Sequence, residues 1–372
     1  MAGSTRLVDL VQSRIDRLLD EQDAVLADIS SDLSPIATCA RQLLAGGKRF
    51  RALFCYWGWQ SVAALADADD TPVDAAPDGL DAVVSIAASL EVFHAAALVH
   101  DDIMDNSDIR RGRPSTHKLF EKLHRDNGWD GSARSYGEAA ALLVGDLLLS
   151  WSDELFDDGV RRAPDAAAAW AARDEFALMR TEVTMGQYLD MLEEDSWRSR
   201  DESDLLGRAH RVIVYKSAKY SVEEPLAIGA SLAGGSLAQL GALRAFGLPL
   251  GVAFQLRDDL LGVFGDPAVT GKPAGDDLRE GKRTVLVTLA RQKLPGSMSR
   301  LLDELLGERD LDDEQIAMLQ TAVRDSGAVD QIERIIDHNV EVATAALADA
   351  PVSRSARDEL AALAAAVTAR TS

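Results

Sequence analysis

"AVVSIAASLEVFHAAALVHDDIMD", residues 82–105, is apolar on nearly every side and then ends in three carboxylates, Asp101, Asp102 and Asp105. A helix that is apolar all round belongs in the middle of a bundle, so this stretch reads as the central helix of an all-α protein. Its acids stand at the C-terminal end, where the helix dipole is already negative, and they need a cation to compensate them. Asp101 and Asp105 are four residues apart and share a face with His94 and Leu98; Asp102 lies about 100° round. Just beyond, the chain turns basic at Arg110, Arg111 and Arg113. Oxygen ligands without thiols or a histidine pair suit magnesium, which usually bridges carboxylates to substrate phosphates. A solvated acidic helix end is the plainer reading of such a run, but a buried apolar helix is an odd place for acids that serve only solubility.

The rest of the chain agrees with an all-helical fold. Of 372 residues, 47% are hydrophobic and only 5% aromatic, and the abundance of Leu, Ala, Glu, Asp and Arg favours helices over strands. Helical spacing recurs over residues 5–29, 34–65, 79–105, 136–157, 165–193, 202–220, 224–233, 236–264, 283–292, 298–306, 312–325, 328–349 and 353–369. The turn-rich stretches at 67–79 and 124–135 read as surface loops, and neither a linker nor an internal repeat divides the chain, so we expect one domain over residues 1–372. A formal charge of −22 argues against nucleic acid or an anionic membrane as partner. Cys39 and Cys55 are too few for a disulfide framework, the N-terminus has no signal-peptide pattern, and no span is uniformly apolar enough to cross a bilayer. The expected compartment is the cytoplasm.

A second acid-tipped helix follows. "AFQLRDDLLG", residues 253–262, ends in Asp258 and Asp259, with Gln255 one turn before Asp259. A Gly- and Pro-rich stretch after it carries Lys272, Arg279, Lys282 and Arg283. Two such helices facing one another could clamp a metal-bound diphosphate. Farther upstream, "GGKRFR" (46–51) offers two glycines that let backbone approach a phosphate, with Lys48 and Arg51 three apart beside it.

Together with "RRGRPSTH" (110–117), "GDLLLS" (145–150), "GQYLD" (186–190), "KSAKY" (216–220) and "GKPAGDDLREGKRT" (271–284), in this order, these motifs make the chain resemble the trans-type isoprenyl diphosphate synthases over about residues 30–350. The resemblance implies a large helical bundle of isoprenoid synthase type around a central cavity, a homodimer, and a reaction that joins isopentenyl diphosphate to an allylic prenyl diphosphate. It further implies that Asp101 and Asp105 bind two magnesium ions and Asp258 a third, with Asp102 and Asp259 in support. Arg110, Lys216, Lys272 and Lys282 would grip the allylic diphosphate, and Lys48, Arg51, His94 and Arg111 the isopentenyl diphosphate. Gln255, the Ser217 hydroxyl and the Lys216 carbonyl would steady the allylic cation by their dipoles. Two departures stand out: Ser217 occupies a common threonine position, and Gly262 replaces the third acid of the second motif, which should weaken metal binding there.

Leu90, Phe93, Ala97 and Asp101 form a stripe leading down from the first acids. Ala96 and Ala97 stand where the family's bulky residues stop short chains, and Phe93, one turn deeper, is the expected floor. This predicts geranylgeranyl diphosphate as main product, with farnesyl or longer chains as the alternative; ordinary core packing is the plainer role for Phe93. A class I terpene cyclase would need a second motif of N-D-x-x-S-x-x-x-E type that is missing, an HD-type phosphohydrolase would need more grouped histidines, and a non-catalytic partner subunit fits Gly262 but not the retained acids and cations.

Overall fold

The expected segments are helical in the computed structural model, which describes residues 2–66, 78–266 and 275–368, though two of them are not single α-helices. In chain order the long elements are α1 (Ala2–Ile29), α2 (Ser34–Leu44), α3 (Phe50–Ala66), α4 (Leu80–Met104), α5 (Thr116–Asp126), α6 (Ala133–Arg162), α7 (Ala166–Ser196) and α8 (Glu202–Val212). After them come a π-helical stretch (Ile213–Glu223), α9 (Glu224–Leu232), α10 (Leu237–Phe264) and the short α11 (Asp276–Glu280). Helices α12 (Val285–Lys293), α13 (Gly296–Leu305), α14 (Asp313–Asp325), α15 (Ala328–Ala348) and α16 (Arg354–Thr368) complete the order. Among the described residues the only strands are a two-residue antiparallel pair, Ile109–Arg110 with Arg113–Pro114.

Four differences from the sequence reading have local causes. The segment 34–65 is two helices, because Gly46, Gly47 and Arg49 all take positive φ and turn the chain between α2 and α3. Residues 202–220 do not continue as α-helix but widen into the π stretch from Ile213. Helix α5 is not expected from the sequence; it and the start of α6 at Ala133 shorten the loop read at 124–135, and most of the loop read at 67–79 lies outside the described residues. Finally, the expectation that no span is apolar enough for a bilayer is corrected: Leu80–Met104 and Leu237–Phe264 both have that length and composition. The most apolar window of the first is 83% buried inside the bundle and that of the second 39%. Helix α4 is apolar all round because α1, α3 and α6 pack around it.

Caps fix several helix starts. The Asp165 side chain accepts from the backbone N–H groups of Ala167 and Ala168, and Ser236 and Asp312 each form a capping box with a glutamine three residues on. Buried apolar side chains then gather in two clusters. One joins α1–α7, α9, the first half of α10, the end of α15 and α16; the other joins the second half of α10 to α8, α11–α14 and the first half of α15. Residues of the π stretch belong to both, Tyr220 to the first and Ala218 to the second. The acid-tipped end of α4 issues from the first cluster and that of α10 from the second, so the candidate site lies along the seam.

Candidate active site

Lys216 is the first link across that seam. Its Nζ donates to Asp101 Oδ1 at 3.1 Å and to Asp190 Oδ2 at 2.5 Å. The π stretch that carries it lies so close to α7 that a Cβ on Gly186 would stand 2.4 Å from the Lys216 backbone nitrogen. Gly186 therefore permits the approach, and Asp190, one turn further along α7, meets the lysine as a result. Burial works against charge on Asp101, but Lys216, Lys282 and Arg110 outweigh it and hold this carboxyl far below the usual range. Burial likewise opposes the charge on Lys216, and Asp101 and Asp190 more than restore it, so the ammonium stays protonated.

Lys282 is the second link. It lies 3.4 Å from Asp105, 2.6 Å from Glu280 and 3.8 Å from Asp277, so one ammonium touches the tip of α4 and the segment folded over the tip of α10. Arg110 makes a third: its Nε donates to Asp102 Oδ1 at 2.9 Å and a second nitrogen reaches Asp101 at 3.4 Å. Among the described residues no three carboxylates, cysteines or histidines are gathered at one point as a finished metal centre. Yet Asp259 buries a carboxylate oxygen that has no hydrogen-bond partner, which is costly without a ligand, and the buried Asp105 Oδ2 has the 3.4 Å ion pair with Lys282 but no hydrogen bond. Burial, helped by nearby Asp101, pushes Asp105 up to about 6; burial, helped by Asp277, raises Asp259 well above its ordinary value. Hard divalent cations fit these carboxylate donors and would relieve the cost of burying them. Asp258 is exposed at the mouth, while Asp259 is buried and accepts from Gln255 Nε2 at 2.8 Å.

A different environment adjoins the acids. His94 Nδ1 is 2.8 Å from the Tyr220 hydroxyl, and Arg51 lies 4.2 Å above the Tyr220 ring while donating to Ser221 Oγ at 2.7 Å. Burial pushes His94 well below its usual value, and Arg51, Arg111, Arg110 and Arg49 push it the same way. Arg111 is lowered too, by burial and then by Arg110 and Arg49. Positive charges are thus crowded here to the point of mutual repulsion, which is the electrostatic form of an anion pocket. Lys48 is exposed at its edge, 5.9 Å from the Phe50 ring. Arg49, by contrast, is buried and bonded to Gln12, Glu91 and the Leu44 carbonyl, so it holds the 45–49 turn in place.

Of the residues singled out from sequence, Lys48, Arg51, His94 and Arg111 fall in the cationic pocket, while Asp101, Asp102, Asp105, Arg110, Lys216 and Lys282 form the linked acid cluster. Ser217 is half-buried beside Lys216, and Lys272 lies outside the described residues. Beneath them Ala96 is buried and Ala97 half-buried, and the Phe93 ring meets Phe176 and Tyr220 edge-on at 6.0 and 5.9 Å. Phe93 is therefore one ring of an aromatic wall, with the Arg180 guanidinium 6.0 Å from its centre.

Three contributors escaped the sequence reading. Asp190 sat in a quoted motif with no role, and only the glycine four residues earlier hinted at close packing. Glu194, one turn beyond it, is pushed up to about 8 by burial and by Asp190 and Asp105. Arg309, on an exposed loop far along the chain, donates to the backbone carbonyls of Asp105 at 3.1 Å and Asn106 at 3.2 Å, which helix α4 leaves without partners.

Known proteins share this fold. A solved geranylgeranyl pyrophosphate synthase from Corynebacterium glutamicum, complexed with isoprenyl diphosphate and magnesium, superposes with a TM-score of 0.89 at 38% identity, covering 98% of this chain and 99% of that one. A geranylfarnesyl diphosphate synthase of Aeropyrum pernix is 32% identical over 85% of this chain and 87% of its own length. A farnesyl diphosphate synthase of Geobacillus stearothermophilus is 31% identical over 76% of this chain and 88% of its own. Residues 34–323 match the polyprenyl synthetase family model, and with two acid-tipped helices converging through Lys282 beside an arginine-rich pocket, the chain belongs to the polyprenyl synthetase family.

Proposed function

We propose that the protein is a magnesium-dependent prenyltransferase that condenses isopentenyl diphosphate with allylic diphosphates and makes mainly geranylgeranyl diphosphate. The observation that carries this reading is the pairing of two unlike anion sites: carboxylates that need a metal to accept a diphosphate, and a neighbouring pocket of Arg51, Arg111 and His94 that needs none. The relative bound to isoprenyl diphosphate and magnesium supports the same assignment.

Magnesium held by Asp101, Asp105 and Asp258, three ions by family resemblance, would neutralise the allylic diphosphate and make it a better leaving group. Arg110, Lys216 and Lys282 exchange their carboxylate partners for its oxygens. The C–O bond breaks, and the allylic cation is left beside Lys216 among the apolar side chains of α4, which keep water away. Gln255 commits its amide nitrogen to Asp259, which leaves its carbonyl oxygen for the cation, beside the Ser217 hydroxyl. The Tyr220 hydroxyl, raised by burial, keeps its proton and can donate it to His94 Nδ1, which turns Nε2 into a donor for isopentenyl diphosphate. The double bond of that substrate attacks the cation, the new C–C bond forms, and the departing proton passes to the released diphosphate.

Product length follows from α4. Ala96 and Ala97 leave room under Asp101, and the chain grows until it meets the wall of Phe93, Phe176 and Tyr220. The functional unit is a homodimer of single-domain chains. Leu142 and Leu143 on α6 and Leu178, Met185 and Tyr188 on α7 are 47–59% exposed, large apolar side chains on adjacent helices that a second copy of the chain would cover. Two free, buried thiols, Cys39 and Cys55, suit the cytoplasm.

Purified protein incubated with magnesium, isopentenyl diphosphate and dimethylallyl, geranyl or farnesyl diphosphate should yield mainly twenty-carbon product, and none after chelation. Phe93→Ala should lengthen the distribution. Absence of elongation with every primer would overturn the assignment, and an unchanged product range in Phe93→Ala would remove that residue from its role.

A further inference from the structure

Gly262 stands four residues after Asp258 on the same face of α10, where a third acid would complete the second motif. The space above it is filled. A Cβ built on Gly262 would lie 2.0 Å from Oδ2 and 2.3 Å from Cγ of Asp277, so the Asp277 carboxylate occupies the volume that a side chain at 262 would take. Asp277 comes from the first turn of α11 and is 9% exposed, 3.8 Å from Lys282.

We propose that Asp277 supplies the third carboxylate of the second metal-binding motif in place of residue 262, and that Gly262 is glycine because this carboxylate needs its space. The inference rests on the assignment of the site as a magnesium-diphosphate centre. It reverses the expectation that Gly262 weakens metal binding: the acid is present, delivered from another element. It also removes the main argument for a non-catalytic subunit. Because α11 leads directly into Lys282, metal ligand and diphosphate-binding cation arrive on one short segment, so the second motif is complete only when that segment is seated against α10. The loop fold that seats it is tight: the Gly307 N–H donates to the Leu278 carbonyl at 2.9 Å, and a Cβ on Gly281 would stand 2.9 Å from Gly307 Cα.

Titration calorimetry of the full-length protein with magnesium in the presence of inorganic pyrophosphate tests this without reference to turnover. Asp277→Asn should weaken magnesium binding by about 10-fold or more, as loss of a metal-supporting carboxylate does, while circular dichroism and melting temperature stay near the parent's. Gly262→Ala is the sharper test. Alanine is the better helix former, so a passive glycine would tolerate it, whereas a methyl group that displaces Asp277 should weaken magnesium binding to a similar degree. Gly262→Asp combined with Asp277→Gly should restore affinity to within about 3-fold of the parent, since the same oxygens return on α10. Parental affinity in Asp277→Asn, or in Gly262→Ala, would overturn the proposal. Should the double variant not fold, the two single variants decide the matter. A parent protein that binds no magnesium with pyrophosphate would instead refute the functional assignment, so the two failures are distinguishable.

Discussion

At the scale of single residues, the site is a balance of buried charges whose protonation states follow from their neighbours. Asp105 is pushed up to about 6 by burial and by Asp101, and the proposed magnesium would bind its deprotonated form. Protons and metal therefore compete there. The magnesium concentration for half-maximal activity should rise as pH falls through 6, approaching about tenfold per pH unit below it, and should change little above neutrality. An activation constant that is flat between pH 5 and 8 would contradict this. Asp190→Asn removes the charge that shares Lys216 with Asp101; the expected loss in kcat is roughly 10- to 100-fold, read from steady-state elongation at saturating magnesium. Legibility at this scale was uneven. Asp101, Asp105 and Asp258 could be read from sequence because acids end helices that are otherwise apolar, a contradiction visible in one dimension. Asp190 interrupts a long, partly polar helix where an acid contradicts nothing, and Asp277 became informative only when the fold laid it over Gly262.

At the scale of elements, two features set the geometry: the π stretch and the clasp around the end of α4. The π stretch was invisible in sequence, because "IVYKSAKYSVE" has the apolar spacing of an ordinary helix and its widening is imposed by packing against α7 and α10. Gly186→Ala should force it away from α7. Backbone sits 2.4 Å from the added methyl, so the variant should lose about 1–3 kcal/mol of stability by denaturant unfolding and most of its activity together. Arg309 is different: it is exposed, so Arg309→Ala should cost under about 1 kcal/mol. It should nonetheless raise the magnesium requirement several-fold, because the carbonyls of Asp105 and Asn106 lose their donor. Arg309→Lys should recover part of that, while an unchanged requirement in the alanine variant would limit Arg309 to a surface role.

For the whole molecule, the sequence already contained the two helices that meet at the seam, since both are apolar runs that stop in acids. What it could not convey was how they meet. Lys282 reaches the α4 tip only because α11 and the 306–309 loop fold back on one another, and such loop-on-loop contacts leave no periodic trace. The exposed faces of α6 and α7 are likewise legible only after folding. Replacing Leu143 and Met185 with lysine should turn the proposed homodimer into monomer in sedimentation experiments; a monomeric parent, or a dimer indifferent to these changes, would remove these faces from the interface.

The doubly anchored lysines, Lys216 between Asp101 and Asp190 and Lys282 between Asp105 and Glu280, bear on the end of each catalytic cycle. In the proposed mechanism, a departing pyrophosphate takes with it the partner of every cation around it. Here those cations have carboxylates within reach to rejoin, so ejection of the tightly charged by-product does not strand like charges against one another, and the protein returns to its starting arrangement by re-forming ion pairs of its own.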